Sequence, residues 1–211
     1  LILIIILFTY RDLFSLKGKL LIFAVLAVGG FSVMTDSQIG VKQRIDQAVQ
    51  DITMFQEGKV NTSVGMRFEM WRGAYKLVQE KPLFGWGKEG YQQGMQELSD
   101  KGELHVRAGD FGHAHNEFID RFAKHGLIGF LALLCLYLLP IRTFSLAKNH
   151  SDLSIKAVGL AGTLLALCYI DFGMTQAFFR HNSGVMVYAT LLAIIAGYFK
   201  VQRLSNLQLK S

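Results

Sequence analysis

Long apolar runs alternate with a broad polar middle. Residues 1–8 read Leu-Ile-Leu-Ile-Ile-Ile-Leu-Phe without a preceding Met. A run that short falls well below the 20 or so residues needed to cross a hydrocarbon core of about 30 Å at about 1.5 Å per residue. It is read as the end of a helix whose start lies upstream, and the chain as the C-terminal part of a longer protein. Residues 20–35, 118–141, 155–172 and 183–199 form four further runs, each near the minimum for crossing a bilayer. The pattern predicts an all-α, polytopic helical membrane protein with five spans in this chain. Residues 1–35 hold the truncated first helix and the complete second, joined by an inner loop. Residues 36–116 form a large outer loop with amphipathic helices, residues 117–200 three more spans, and residues 201–211 an inner tail.

Composition agrees with that pattern. Of 211 residues, 51% are hydrophobic and 18% charged, against about 25% charged in a soluble domain. This excludes disordered, collagen-like, coiled-coil and disulfide-scaffold classes. The charge distribution adds orientation. Arg11, Lys17 and Lys19 follow the first run, Arg142, Lys148 and Lys156 the third, and Lys200, Arg203 and Lys210 the last. Alternating helices put these three segments on one side, where their nine basic residues face only Asp12 and Asp152. That side is cytoplasmic by the positive-inside rule. The net charge of +6 is thus a topology signal. No nucleic-acid partner is expected, because the basic residues are not clustered with aromatic platforms. Cys135 and Cys168 lie inside apolar runs and read as packed thiols rather than a disulfide.

The outer loop is too long for a plain connection. Val41, Ile45, Val49 and Ile52 recur at helical spacing and predict an amphipathic helix over 41–55. Pro82 and the sequence Gly85-Trp86-Gly87 end the next helix, and residues 88–112 read as loop or short helices. That next helix, 66–80, is the informative one. On a helical wheel Trp71, Ala74 and Val78 fall within about 40° of Arg67, while Glu69, Arg72, Lys76 and Glu80 share the opposite face. Arg67 therefore sits in the middle of the apolar stripe. A buried arginine needs an anionic partner: either a structural salt bridge or snorkelling position, or a ligand anion such as a phosphate, which a guanidinium grips bidentately.

A second stretch, Gly112-His113-Ala114-His115-Asn116, runs into the third apolar run. On the same wheel Ile119, Phe122, Gly126 and Gly129 share the stripe of His115, which is expected to face the protein interior, and Glu117, Asp120, Arg121 and Lys124 face away. Gly126 and Gly129 then allow close helix packing. The positive end of a helix dipole disfavours an imidazolium, and a neutral imidazole serves as a general base. The plain alternative is a histidine satisfying hydrogen bonds near the membrane interface. His113 beside His115, with Asp110 and His105 nearby, is too weak a pattern for zinc, so no metal and no cofactor is expected. Arg180 and His181 lie in the short outer loop between the last two runs. There Arg180 serves either as a structural pair with Asp171 or as a second phosphate or acceptor contact.

His115-Asn116, nine residues, then Gly126-Leu127-Ile128-Gly129 resembles the ligase motif of bacterial O-antigen ligases. Arg67-x-x-x-Trp71 followed by Pro82-Leu83-Phe84-Gly85-Trp86-Gly87 resembles the preceding segment in the wider O-antigen ligase and polymerase superfamily. The resemblance covers residues 60–200. It implies a multi-pass bacterial inner-membrane glycosyltransferase of the GT-C type, with a large periplasmic loop and a site facing the periplasm. The implied donor is an undecaprenyl pyrophosphate-linked glycan and the implied acceptor a sugar hydroxyl of the lipid A–core oligosaccharide, in lipopolysaccharide assembly among membrane lipids. The family's essential histidine maps to His115 and one of its loop arginines to Arg67, with Arg180 a further pyrophosphate candidate and His113, Asn116 and His181 secondary ones. Members are about twice this length, so other site arginines are expected outside this chain.

Glycosyl transfer from a pyrophosphate needs a base for the acceptor hydroxyl and cations for the leaving group. No Asp-x-Asp sequence and no nucleotide-binding glycine loop is present, which disfavours a metal-dependent nucleotide-sugar enzyme. Direct displacement inverts the anomeric centre. Within the superfamily, an O-antigen polymerase or a protein O-oligosaccharyltransferase shares the donor and differs in acceptor. From another class, a lipid-linked glycan transporter component calls for charged or broken helices at the midplane, and the complete runs lack an obvious charged midplane residue.

Overall fold

The computed structural model describes residues 15–35 and 40–208. It is helical throughout, with no strand among the described residues. Among the described residues seven α-helices follow in order: α1 (Leu16–Thr35), α2 (Val41–Gln56), α3 (Ser63–Glu80), α4 (Gly87–Asp100), α5 (Glu117–Ser145), α6 (Leu153–Gly173) and α7 (Asn182–Gln208). Short 3-10 turns occupy Val106–Asp110, Leu146–Asn149 and Phe178–Arg180. The chain packs as two units, one covering Gly18–Phe130 and the other consisting mainly of Leu131–Ser211.

Among the described residues three helical segments are long and apolar enough to cross a membrane: Glu117–Asn149, Leu153–Gly173 and Asn182–Gln202. That is fewer than the five expected. The first expected span lies outside the described residues. The second falls within α1, whose apolar residues are exposed around the helix, including Leu21, Phe23 and Phe31, and which is not one of the three.

In the unit covering Gly18–Phe130, α3, α4 and the first turns of α5 enclose a core of Ala74, Leu77, Tyr91, Met95, Leu98, Leu104, Ala108 and Ala123. Within 88–112, expected as loop or short helices, helix α4 runs to Asp100, because Tyr91, Met95 and Leu98 recur at 3–4 spacing and are all buried here. Burial, with the charge of Asp120 nearby, pushes the Tyr91 phenol far above its usual range. Helix α2 forms as expected and packs on α3 through Phe55, whose ring lies 5.0 Å from that of Phe68. Its Ile45, Val49 and Ile52 remain exposed.

In the other unit, the end of α5 packs with α6 and α7 through small residues and aromatics. A Cβ added at Gly162 would lie 2.3 Å from the Phe144 ring, the close approach that small residues permit between membrane helices. Tyr137, Tyr169, Phe179 and Tyr188 form one aromatic cluster. The Tyr169 hydroxyl donates to Gly184 O (2.8 Å) and the Tyr188 hydroxyl to Leu136 O (2.7 Å), which satisfies both polar tips in an apolar setting.

Candidate active site

Helix α3 begins at a Thr62 cap, whose side-chain oxygen accepts the Gly65 amide at 3.0 Å. Asp51 of α2 accepts the Val64 amide at 3.1 Å. These bonds fix the first turn of α3, and Arg67 leaves it one turn later. Arg67 is half-buried. Among the described residues it has no carboxylate within ion-pair distance, whereas Arg72 pairs with Glu69 and Arg121 with Glu117. The structural salt bridge is therefore absent at Arg67 among the described residues.

The opposite face of α3 departs from expectation. Glu69 is 2% exposed, accepting the His105 amide at 2.8 Å and pairing with Arg72 at 3.2 Å. The buried face consists of Met66, Glu69, Met70, Gly73, Ala74 and Leu77, with Arg67 at its edge. The wheel placed Glu69 in solvent because its partner, the backbone at His105, lies 36 residues away. The same stretch is held by Arg72 donating to Glu103 O and by the Lys76–Glu103 pair. Lys76 holds the Glu103 carboxyl below its usual range.

The histidine stretch also differs. Helix α5 starts at Glu117, with Asn116 as its cap: the Asn116 side-chain oxygen accepts the Phe118 and Ile119 amides at 3.0 and 3.1 Å. His115 therefore lies outside the helix, in the left-handed region at φ 49°, and does not continue the stripe of Gly126 and Gly129. It still adjoins the positive end of the helix. The residues expected to face away, Glu117, Asp120 and Lys124, are all at most 6% exposed. Asp120 accepts the Ala114 amide at 3.0 Å and the Lys124 ammonium at 2.8 Å. Lys124 also donates to Gly112 O at 2.9 Å. This buried pair is thus satisfied by backbone groups of the very loop that carries His113 and His115. Trp71, one turn beyond Arg67, donates its indole N–H to Ala114 O at 2.7 Å. Both backbone polar groups of Ala114 are thereby fixed, one by α5 and one by α3, and His115 follows directly.

Arg67 and His115 consequently line one open cleft of about 330 Å³, with Asn61, Thr62, Ser63, Met66, Met70, Arg107 and Phe111. Arg107 escaped the sequence reading because it sits in a 3-10 turn with no helical period to place it. It donates to Asn61 Oδ1 at 2.7 Å. Two guanidinium groups and the start of α3 give the cleft a positive character suited to an anion. The His113 ring lies 4.0 Å from the His115 ring, so His113 is a neighbour of His115 and not a bystander.

Gly126 interrupts α5 at φ 62° and ψ −164°. The amides of Leu127 and Ile128, which lose their helical acceptors there, donate instead to Pro82 O (2.8 Å) and Leu83 O (3.4 Å), while Ala123 O accepts the Trp86 amide (3.1 Å). A Cβ on Gly126 would lie 2.2 Å from Leu83 O, and one on Gly85 would lie 2.4 Å from the Lys124 carbonyl carbon. Gly126 thus grips the turn between α3 and α4 rather than packing two continuous helices. Gly129 makes room within α5, where an added Cβ would lie 2.2 Å from His125 Cβ. Arg180 and His181 belong to the other unit. Arg180 ends the Phe178–Arg180 turn, and His181 lines an aromatic cleft with Tyr169, Phe172 and Phe178. Their roles rest on sequence grounds.

The family model described as O-antigen ligase matches residues 1–134. An uncharacterized protein of Haemophilus influenzae is 31% identical over 185 residues, covering 87% of this chain and 46% of its own length. The ComP-specific O-oligosaccharyltransferase of Acinetobacter baylyi is 28% identical over 145 residues, covering 66% of this chain and 23% of its own. The chain spans about half the length, or less, of these curated relatives.

Proposed function

Because the chain belongs to the O-antigen ligase family, we propose that it carries part of the active site of a metal-independent, inverting membrane glycosyltransferase. It moves a glycan from undecaprenyl pyrophosphate to a sugar hydroxyl of the lipid A–core oligosaccharide. The supporting observation is that Arg67 and His115, from separate elements, line one cleft. His115 takes the proton of the acceptor hydroxyl. The acceptor oxygen bonds to the anomeric carbon as its bond to the pyrophosphate oxygen breaks, inverting that centre. Arg67 and Arg107 meet the charge released on undecaprenyl pyrophosphate. The basic residues of the inner segments support a periplasmic cleft in the bacterial inner membrane.

A second reading has its own support. The Acinetobacter relative is named as an O-oligosaccharyltransferase specific for ComP, so transfer to a protein hydroxyl uses the same chemistry with another acceptor. The discriminating experiment is in vitro transfer by the full-length protein from a defined lipid-linked donor. Lipid A–core, a pilin-like protein and the donor glycan itself are offered as acceptors. Product on lipid A–core alone supports the ligase. Product on protein establishes the second reading, and chain extension of the donor a polymerase.

A further inference from the structure

We infer that the turn Pro82-Leu83-Phe84-Gly85 is a membrane wedge, seated in the acyl region of the phospholipid bilayer beside the start of the span carried by α5. The turn protrudes with its apolar side chains outward: Phe84 is 75% exposed and Leu83 54%. Two large apolar side chains on a tight turn gain nothing from water. Burying either in hydrocarbon is favourable.

The occupant is set by where the turn is fixed. The backbone bonds from Leu127 and Ile128 to Pro82 and Leu83, and from Trp86 to Ala123, lock the turn against α5 at Gly126. That glycine is the point where α5 changes character. Charged residues fill Glu117 to Lys124, and none occurs from Gly126 until Arg142. Leu127 and Ile128, immediately past the glycine, are themselves exposed. Leu83 and Phe84 therefore extend the outward apolar surface of a candidate span at its first turn, so the surface that meets lipid along α5 continues onto the wedge.

The flanks fit the same boundary. Lys81 places its ammonium 3.7 Å from the centre of the Trp86 ring, and Trp86 donates its indole N–H to Leu77 O at 2.8 Å. A tryptophan with a lysine on its face, next to apolar tips, is the residue pattern of the membrane–water interface. The broken helix needs the turn for a second reason. An interrupted helix at the edge of hydrocarbon exposes backbone amides that lipid cannot satisfy, and Pro82 and Leu83 supply the acceptors. The wedge holds whether or not the transferase reading does, since it concerns only the depth of this turn.

The test is site-directed fluorescence quenching. Every native cysteine, Cys135 and Cys168 among them, is replaced by Ala, and single cysteines are placed at Leu83, Phe84 and the exposed Gln93 of α4. Each variant carries an environment-sensitive nitrobenzoxadiazole label. The full-length protein is reconstituted in phosphatidylethanolamine–phosphatidylglycerol vesicles. A lipid carrying a nitroxide on its acyl chain should quench the labels at 83 and 84 several-fold more than the label at 93. Aqueous iodide should show the reverse order. Iodide quenching at 84 equal to that at 93 would overturn the wedge. So would shielding of 83 and 84 from both quenchers, which would mean that protein covers the turn.

Discussion

Trp71 donates its indole N–H to the carbonyl oxygen of Ala114 at 2.7 Å, joining helix α3 to the residue that precedes His115. Trp71 lies one turn beyond Arg67, so a single helix presents the cleft arginine and also fixes the loop that presents the histidine. Trp71→Phe keeps the ring and removes the donor. The unpaired carbonyl should cost about 1–3 kcal/mol, read as a lower melting temperature. Transfer should fall further than stability, because the backbone next to His115 loses one of its two ties. Unchanged transfer would show that the ties from Asp120 and Lys124 suffice to position the loop.

Arg67 and Arg72 should separate activity from stability. Arg67→Ala removes a charge that has no carboxylate partner among the described residues, so transfer should drop sharply with little change in melting temperature. Arg67→Lys should recover only part, since an ammonium lacks the bidentate fork. Arg72→Ala leaves Glu69 buried without its cation, so it should lower the melting temperature. Transfer assays and thermal melts of the three variants side by side check the contrast.

Gly126→Ala should prevent correct folding. The residue needs a left-handed backbone and its Cβ would meet Leu83 O at 2.2 Å. Gly102→Ala shares a positive φ (+71°) but meets nothing within 4 Å, so it should cost only about 1–2 kcal/mol of backbone strain. Yield of detergent-stable protein and thermal melting separate the two.

A reporter fused after Ser211 should behave as cytoplasmic, because the inner segments carry the basic residues. A periplasmic signal there would reverse the topology and move the cleft to the wrong face.

These contrasts also show what the sequence could convey. The apolar runs located α5, α6 and α7 because length and composition are local properties. The period of 3.6 residues singled out Arg67 but centred the stripe on it, whereas the structure puts Arg67 at the edge of the buried face, because Met66, Glu69, Met70 and Gly73 are buried instead. His115 was misplaced by one element, although the signal was present: Asn116 followed by Glu117 is a helix-start pattern. The burial of Glu69, Asp120 and Lys124 was not legible, since their partners at His105, Ala114 and Gly112 come from loops with no periodicity. Gly126 looked like a small residue in a stripe. Its function depends on Leu83, more than forty positions earlier in sequence, which no local pattern encodes.

The most direct test of the central claim is His115→Ala in the full-length protein, assayed for transfer and, separately, for retention of the lipid-linked donor. A general base contributes about 10²–10⁴-fold, so transfer should fall by that factor while donor binding, held by the arginines, persists. His113→Ala should give a smaller loss, because its ring only neighbours that of His115 at 4.0 Å. Full transfer by His115→Ala at normal expression would contradict the account and remove the histidine from the chemistry of the cleft.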